Sequence, residues 1–195
     1  DTVTDNPLKI VESGWSADQQ GYVHYAFALR NTSTTQQVQY PQITITGRAK
    51  DGSIVFSQTQ ALNMAFPNQT VYDAGQAGEG TAPATVDFVV LSPDTYNVTE
   101  AQGTATFPIS GTSKIDNRDG GTTFNGEVRA VADGFKPSDG QQIKISLVLR
   151  NAQNAIIYGD IAFVDWPGNG RSAPFSITVY DLPKYVSYDL YAQIW

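Results

Sequence analysis

The stretch of sequence that decides the fold is residues 43–67, which read ITITGRAKDGSIVFSQTQALNMAFP. Isoleucine and threonine alternate over residues 43–46, and a period of two predicts a β-strand with one buried face. Asp51 and Gly52 then supply the chemistry of a tight turn, because glycine adopts a positive φ at little steric cost. A β-prone run restarts at residues 54–56. The stretch therefore predicts a β-hairpin.

The same pattern recurs in residues 143–167, which read IKISLVLRNAQNAIIYGDIAFVDWP. Isoleucine or leucine occupies every second position over residues 143–149, Gln153-Asn154 takes the place of the turn, and Pro167 matches Pro67. A repeated hairpin predicts two similar units in this chain of 195 residues. The alternative is a closed β-barrel, a single closed sheet that runs through the whole chain, which leaves the matching prolines unexplained.

Short alternating segments separated by turn residues fill the rest of the chain, as in residues 23–29, VHYAFAL. Apolar residues do not keep helical spacing over three turns, so little helix is expected. We therefore predict an all-β protein of two tandem antiparallel immunoglobulin-like β-sandwich domains, residues 1–103 and residues 104–195. The boundary falls at residues 101–105, AQGTA, which offer no bulky apolar side chain for packing.

Composition argues against several classes of function. A chain that is 41% apolar and 16% charged is expected to fold rather than to remain disordered. Its net charge of −7 argues against nucleic acid and anionic membranes as partners, since both favour basic surfaces. The absence of cysteine removes disulfides, thiolate metal sites and thiol nucleophiles. No apolar run approaches the roughly 18 residues that a transmembrane helix needs.

The polar start of the chain, DTVTDNP, has no initiator methionine and is typical of a mature terminus from which a leader has been removed. We therefore expect an exported bacterial protein at an extracellular or cell-surface location. Any membrane anchor would lie upstream of residue 1. The expected partner is a protein or a surface glycan.

Three short motifs carry a resemblance to a known family: residues 29–33, LRNTS, the Asp51-Gly52 turn, and residues 67–70, PNQT. Together they resemble the FxLYD-type immunoglobulin-like domains of bacterial surface proteins and lipoproteins. The run that gives the family its name should fall at residues 45–49, which read ITGRA, so only the turn is kept. The resemblance implies an exported accessory domain and supplies no catalytic residues.

Catalytic chemistry has few candidates in this sequence. The sole histidine, His24, lies in mid-strand, and a catalytic role would require a carboxylate or nucleophile on a neighbouring strand. Motifs of serine hydrolases, zinc proteases and nucleotide-binding proteins are absent. No pair of carboxylates can be selected for glycoside hydrolysis. We predict a non-enzymatic protein, with a small hydrolase using an unrecognised carboxylate site as an alternative.

Oxygen-bearing side chains crowd one predicted loop at Asp116, Asn117 and Asp119, and Ca²⁺ prefers such ligands. Their spacing does not match an EF-hand, and these residue types favour turns in any case. We therefore expect no cofactor, with Ca²⁺ at Asp116 and Asp119 as the alternative.

Aromatic residues make up 11% of the chain, more than two small cores require. Exposed aromatic rings stack on sugars or anchor protein interfaces. The predicted function is accordingly a spacer or protein-binding module at the bacterial cell surface, with a carbohydrate-binding module as an alternative. Residues at predicted loops, strand ends or outer faces are the candidate ligand-binding residues: Trp15, Tyr72, Trp166, Tyr191 and Trp195. They could instead fill the seam between the two units or shield sheet edges.

Overall fold

The computed structural model describes residues 5–195. These residues form seventeen β-strands and one short 3₁₀-helix, Thr95–Asn97. Each strand runs antiparallel to the strands it pairs with. The prediction of an all-β, antiparallel fold with minimal helix is therefore confirmed.

Nine strands belong to the first half of the chain, which we call the first unit. They are β1 (Leu8–Ala17), β2 (Val23–Asn31), β3 (Gln36–Gln39), β4 (Gln42–Arg48), β5 (Ile54–Ala61), β6 (Met64–Ala65), β7 (Thr70–Ala77), β8 (Thr85–Val90) and β9 (Val98–Glu100).

Eight strands belong to the second half, the second unit. They are β10 (Thr104–Thr106), β11 (Ile109–Asp116), β12 (Thr122–Arg129), β13 (Val131–Asp133), β14 (Gln142–Arg150), β15 (Ile156–Asp165), β16 (Ser172–Val179) and β17 (Ser187–Ile194).

The two units share one strand order. In the first unit sheet β1-β2-β7 faces sheet β5-β4-β8, and in the second unit sheet β11-β12-β16 faces sheet β15-β14-β17. Two small sheets, β6-β3-β9 and β10-β13, complete the described chain. A single closed sheet is thus wrong for residues 5–195, whose strands divide among six sheets. The immunoglobulin-like assignment and the domain boundary stay predictions.

Each facing pair of sheets encloses its own apolar interior, as the alternating patterns predict. In β2 the predicted face is buried, and in β14 the predicted isoleucine and leucine face is buried as well. The largest fully buried side chains in these two strands are Tyr25, Phe27, Leu29, Ile143, Ile145, Leu147 and Leu149. A few side chains pack in or against the core of the other unit. Met64 and Phe66 of the first unit pack in the second core, and Trp195 of the second unit packs against the first core.

The two hairpins that organise the sequence close with the same turn. The amide of Ala49 donates to the carbonyl of Ser53, and the amide of Asn151 donates to the carbonyl of Ala155. The fourth residue of each turn has a positive φ, 86° at Gly52 and 62° at Asn154. Asparagine is one of the few residues besides glycine that tolerates this conformation, which explains how the second hairpin keeps the turn without an Asp-Gly pair.

The units are joined face to face. Sheet β1-β2-β7 of the first unit packs on sheet β15-β14-β17 of the second, and a third buried apolar cluster lies between them. We call this interface the seam. The molecule thus has four sheet layers, and β14 is buried along nearly its whole length.

Candidate functional site

The seam is lined by small residues on the side of the first unit. Ala26 and Ala74 are buried there against Val148 and Ile156 of the second unit. Short side chains let the two sheets approach closely, and the area they bury contributes to association. In the sequence these alanines fall on the polar faces of their strands, and the alternating pattern predicts that those faces contact solvent.

Two glycines bring the backbones of the two units still closer. A Cβ atom at Gly159 would lie only 2.7 Å from the Cβ of Ala74 and would overlap the carbonyl oxygen of Tyr25. A Cβ atom at Gly14 would overlap the carbonyl oxygen of Ile156. Both glycines are therefore required by close approach and not by a turn.

A buried ion pair crosses between the units at one side of the seam. Lys144 Nζ in β14 lies 2.8 Å from Asp73 Oδ1 in β7, and the two side chains are 4% and 0% exposed. The ring centroid of Trp195 lies 4.0 Å from the same ammonium, a cation–π contact. A charge pair this deep stabilises the fold only when both partners are present.

The carboxylate of Asp73 is held by further donors. Gln60 Nε2 donates to Oδ2 at 2.5 Å, and the amide of Ala74 donates to Oδ1 at 2.9 Å. The hydroxyl of Tyr25 donates to the side-chain carbonyl of Gln60. Burial raises the pKa of Asp73, and the charge of Lys144 opposes this shift. The pair is thus part of a network that reaches into the first core.

A second polar network ties the units at Arg150 of β14, which is 5% exposed. Its guanidinium donates to both carboxylate oxygens of Glu12, with Nη2 to Oε2 at 3.1 Å, and Nε donates to Asp189 at 2.8 Å. The hydrogen bonds from Arg150 lower the pKa of Glu12. Because Glu12 lies in β1, this pair also joins the two units.

Two of the predicted ligand-binding residues, Tyr72 and Tyr191, meet across the seam. Their rings stack with centroids 3.7 Å apart and planes 6° apart. The hydroxyl of Tyr72 donates to Glu12 at 2.6 Å. Each tyrosine lies on the face of its strand that points away from its own core, and the other unit covers that face.

The histidine also lies at the edge of the seam. His24 Nε2 is 2.9 Å from Asp18 Oδ2, and the ring stacks on Tyr158 of the second unit with centroids 4.8 Å apart. Ser16 lies opposite His24 in the β1–β2 ladder. Burial raises the pKa of Asp18, but hydrogen bonds from His24 and from the amides of Tyr22 and Gln20 lower it overall. The sequence could not place this carboxylate beside the histidine.

The three tryptophans are half-buried and lie apart from one another. Trp15 is within β1, opposite Tyr25, so the loop predicted around it is wrong. Trp166 follows β15, as expected, and packs edge-on against Phe107 with centroids 6.0 Å apart. Trp195 covers Lys144. The five candidate aromatic residues therefore do not form one exposed surface.

The loop considered for Ca²⁺ uses its acidic groups in turns and local contacts. Asp119 accepts hydrogen bonds from the amide of Gly121 and from the hydroxyl of Tyr180, whereas Asp116 lies 3.6 Å from Lys114 Nζ. Within residues 5–195 no three acidic or histidine side chains are grouped so that they could hold a metal ion.

A cavity of about 540 Å³ lies where the two units meet beside Tyr40. Its walls come from β3, from residues 102–103 and from residues 134–141. Gly103 of the linker and Gly134 pack backbone to backbone on its floor, where a Cβ on Gly103 would lie 2.7 Å from the carbonyl oxygen of Gly134. The cavity is therefore a product of the arrangement of the units.

Neither a family model nor a curated protein matches this chain. Among residues 5–195, no helix is long and apolar enough to cross a membrane.

Sequence reasoning missed the residues that join the units, above all Lys144, Arg150 and Asp73. Lys144 and Arg150 alternate with the core-facing residues of β14 and so resemble solvated residues. Asp73 instead lies opposite Phe27, on the core-facing side of β7. One signal was present: small residues recur on the supposedly solvated faces of β1, β2 and β7, at Gly14, Ala26 and Ala74. A solvated sheet face has no need of such small side chains, whereas close packing of a second sheet requires them.

Proposed function

We propose that this chain is a non-enzymatic accessory module of the bacterial cell surface that acts as a rigid spacer. The seam is the observation that carries the proposal. A spacer fixes the separation of whatever is attached to its ends only if its units do not hinge, and most interfaces between domains of one chain do permit hinging. Here, opening the seam would expose Val148 and Ile156 to water and would separate Lys144 from Asp73.

The energetic cost of that opening supports rigidity. Leaving one member of a buried ion pair without its partner costs about 3–5 kcal/mol, and the Arg150–Glu12 pair would be broken as well. At a cost of about 4 kcal/mol, an open state would have a population on the order of one molecule in a thousand. His24 Nε2 contacts Asp18 in the first unit and the histidine ring stacks on Tyr158 of the second unit, so opening the seam would break this stack as well.

The test measures the distance between the two outer sheets. The chain has no cysteine, so Thr59→Cys on β5 and Ser172→Cys on β16 provide two unique, exposed labelling sites, one on each unit. Spin labels at these positions should give a single narrow distance distribution by pulsed electron spin resonance. A broad or two-peaked distribution in the otherwise unchanged protein would contradict the rigid spacer.

A matched pair of lysine variants tests whether contacts in the seam cause the rigidity. Lys144→Met should broaden the distance distribution, because Asp73 loses the ammonium that compensates its buried charge. Lys184→Met removes a lysine that is exposed to solvent, and the distribution should not change. Equal effects of the two variants would mean that the ion pair does not hold the units together.

A further inference from the structure

Tyr40 stands in a groove that has the features of a binding site. It forms part of the wall of the 540 Å³ cavity between the units and of a second cavity of about 130 Å³ beside Ser92 and Asn97. The two cavities therefore adjoin each other at Tyr40. The Tyr40 groove, as we call it, contains none of the five aromatic residues selected from the sequence.

The backbone at Tyr40 is in an unfavourable conformation. Its φ is 51°, and it directly precedes Pro41. A bulky residue with positive φ is uncommon, and such strain costs about 1–3 kcal/mol and is concentrated at functional sites. The amide of Tyr40 donates to the carbonyl of Asn63 at 2.9 Å, which fixes this conformation. The result is a ring held 56% exposed at the groove.

Carboxamides line the larger cavity. The side chains of Gln37, Gln39, Asn63 and Gln102 make no hydrogen bond with any other residue of the described chain. Each amide offers one acceptor oxygen and two donor hydrogens, a set that matches neighbouring hydroxyl groups of a sugar. An aromatic ring beside such amides adds a flat apolar surface for the face of a pyranose.

The charge of the cavity sets the class of ligand. Among the described residues that line the larger cavity none is acidic, and Lys136 is the one charged side chain, although the whole protein has a net charge of −7. The smaller cavity adds Asp94, whose carboxylate accepts a hydrogen bond from the hydroxyl of Tyr96. A single lysine is a weak basis for binding a polyanion. An extended peptide would require a free strand edge, but β3 is paired on both sides, with β6 and with β9.

We propose that the Tyr40 groove binds a neutral oligosaccharide. The ring of Tyr40 stacks on a sugar ring, and the carboxamides of Gln39 and Gln102 bond its hydroxyl groups. This site is independent of the spacer role, which depends on the seam, so binding and inter-unit distance can be measured separately.

The test uses the intact chain on an array of neutral and acidic oligosaccharides, followed by calorimetric titration of each glycan retained. Tyr40→Gly is the decisive variant, because it removes the ring and at the same time relieves the positive φ, so folding should be kept or improved. Binding should weaken at least ~10-fold. Tyr180→Ala, which removes an equally exposed ring of the second unit, should bind as the unchanged protein does.

Three outcomes would overturn this inference: no glycan is retained by the unchanged protein, only acidic glycans are retained, or Tyr40→Gly binds as tightly as the unchanged protein. Gln39→Leu with Gln102→Leu provides a second check on the amide contacts, with thermal unfolding as the control for folding. None of these outcomes bears on the distance measurement that tests the spacer.

Discussion

Lys144 and Asp73 illustrate how single residues govern the arrangement of this protein. Each lies in a strand of a different unit, and both are almost completely removed from water. The loss of hydration of two charges is offset by their mutual attraction and by the donors at Gln60 and Ala74. The pair therefore favours the observed docking of the units, because Asp73 is fully buried and would lose its charged partner if the units separated.

A double-mutant cycle tests this pair. Lys144→Met and Asp73→Asn should each lower the free energy of unfolding by about 3–5 kcal/mol, because each leaves one partner buried alone. The double variant should lose clearly less than the sum, since both partners are then neutral. Urea denaturation measures all three, with Lys184→Met expected within about 0.5 kcal/mol of the unchanged protein. Additive losses would mean that the two side chains are not coupled.

The carboxyl group of Asp160 in β15 is expected to make the stability of the fold depend on pH. Burial raises the pKa of its carboxyl, and the amide of Ile161 donates to it at 2.7 Å. The folded chain therefore binds this proton more readily than the unfolded chain, whose carboxyl has a pKa of about 3.9. This group's contribution to stability consequently improves as the pH falls through the folded-state pKa.

Asp160→Asn should accordingly stabilise the protein near pH 7, because the raised pKa means that burial of this carboxyl destabilises the folded chain there, and the gain should shrink toward pH 4. Denaturation of both proteins across this pH range is the measurement. Asp139→Asn, at an exposed position, provides the control. A gain that stays constant with pH would show that the buried charge is not its cause.

At the scale of elements, β14 and β15 form the centre of the molecule. The isoleucines and leucines of β14 face the second core, while Lys144 and Val148 face the first unit. β15 contributes Gly159 at the point of closest approach. A strand covered on both faces can no longer be solvated on either, and two polar residues of β14, Lys144 and Arg150, find charged partners in the other unit.

Gly159→Ala tests the fit between the sheets. The added methyl group would press on the backbone of Tyr25 and on Ala74, and such overpacking costs about 1–3 kcal/mol. It should also shift the distance between labels on the two outer sheets. Gly140→Ala, at a φ of 74° with open space around it, should lower stability through backbone strain alone and leave that distance unchanged. An unaltered distance in Gly159→Ala would contradict close packing at the seam.

At the scale of the whole molecule, the seam makes two sandwiches into one stack of four sheets. Shared burial couples the units thermodynamically, because neither can unfold without exposing the third apolar cluster. The side chains exchanged between the cores, Phe66 and Trp195, add to this coupling. Rigid relative placement of the outer sheets follows from the same contacts.

The chain should therefore unfold in a single cooperative transition. In scanning calorimetry the van't Hoff and calorimetric enthalpies should agree, as for one two-state unit. Lys144→Met should make the van't Hoff and calorimetric enthalpies differ, or should split the transition into two. Two separate transitions in the unchanged protein would show that the units are energetically independent despite their contact.

The sequence by itself determined the all-β character of the chain, the two hairpins and the two cores. Alternation in β2 and β14, and turn residues such as Gly52 and Asn154, act over a few neighbouring residues, so their consequences can be read from local order. No local sequence pattern indicates the Tyr40 groove, because its walls come from segments far apart in the chain.

Only the tertiary structure decided what covers the second face of each central sheet. An alternating pattern states which side of a strand is apolar, but small or polar residues such as Ala26 and Lys144 suit water and a complementary surface equally well. Their environment depends on whether another sheet supplies matching partners, here Val148 and Asp73. That complementarity is a property of two surfaces brought together, and neither strand contains it alone.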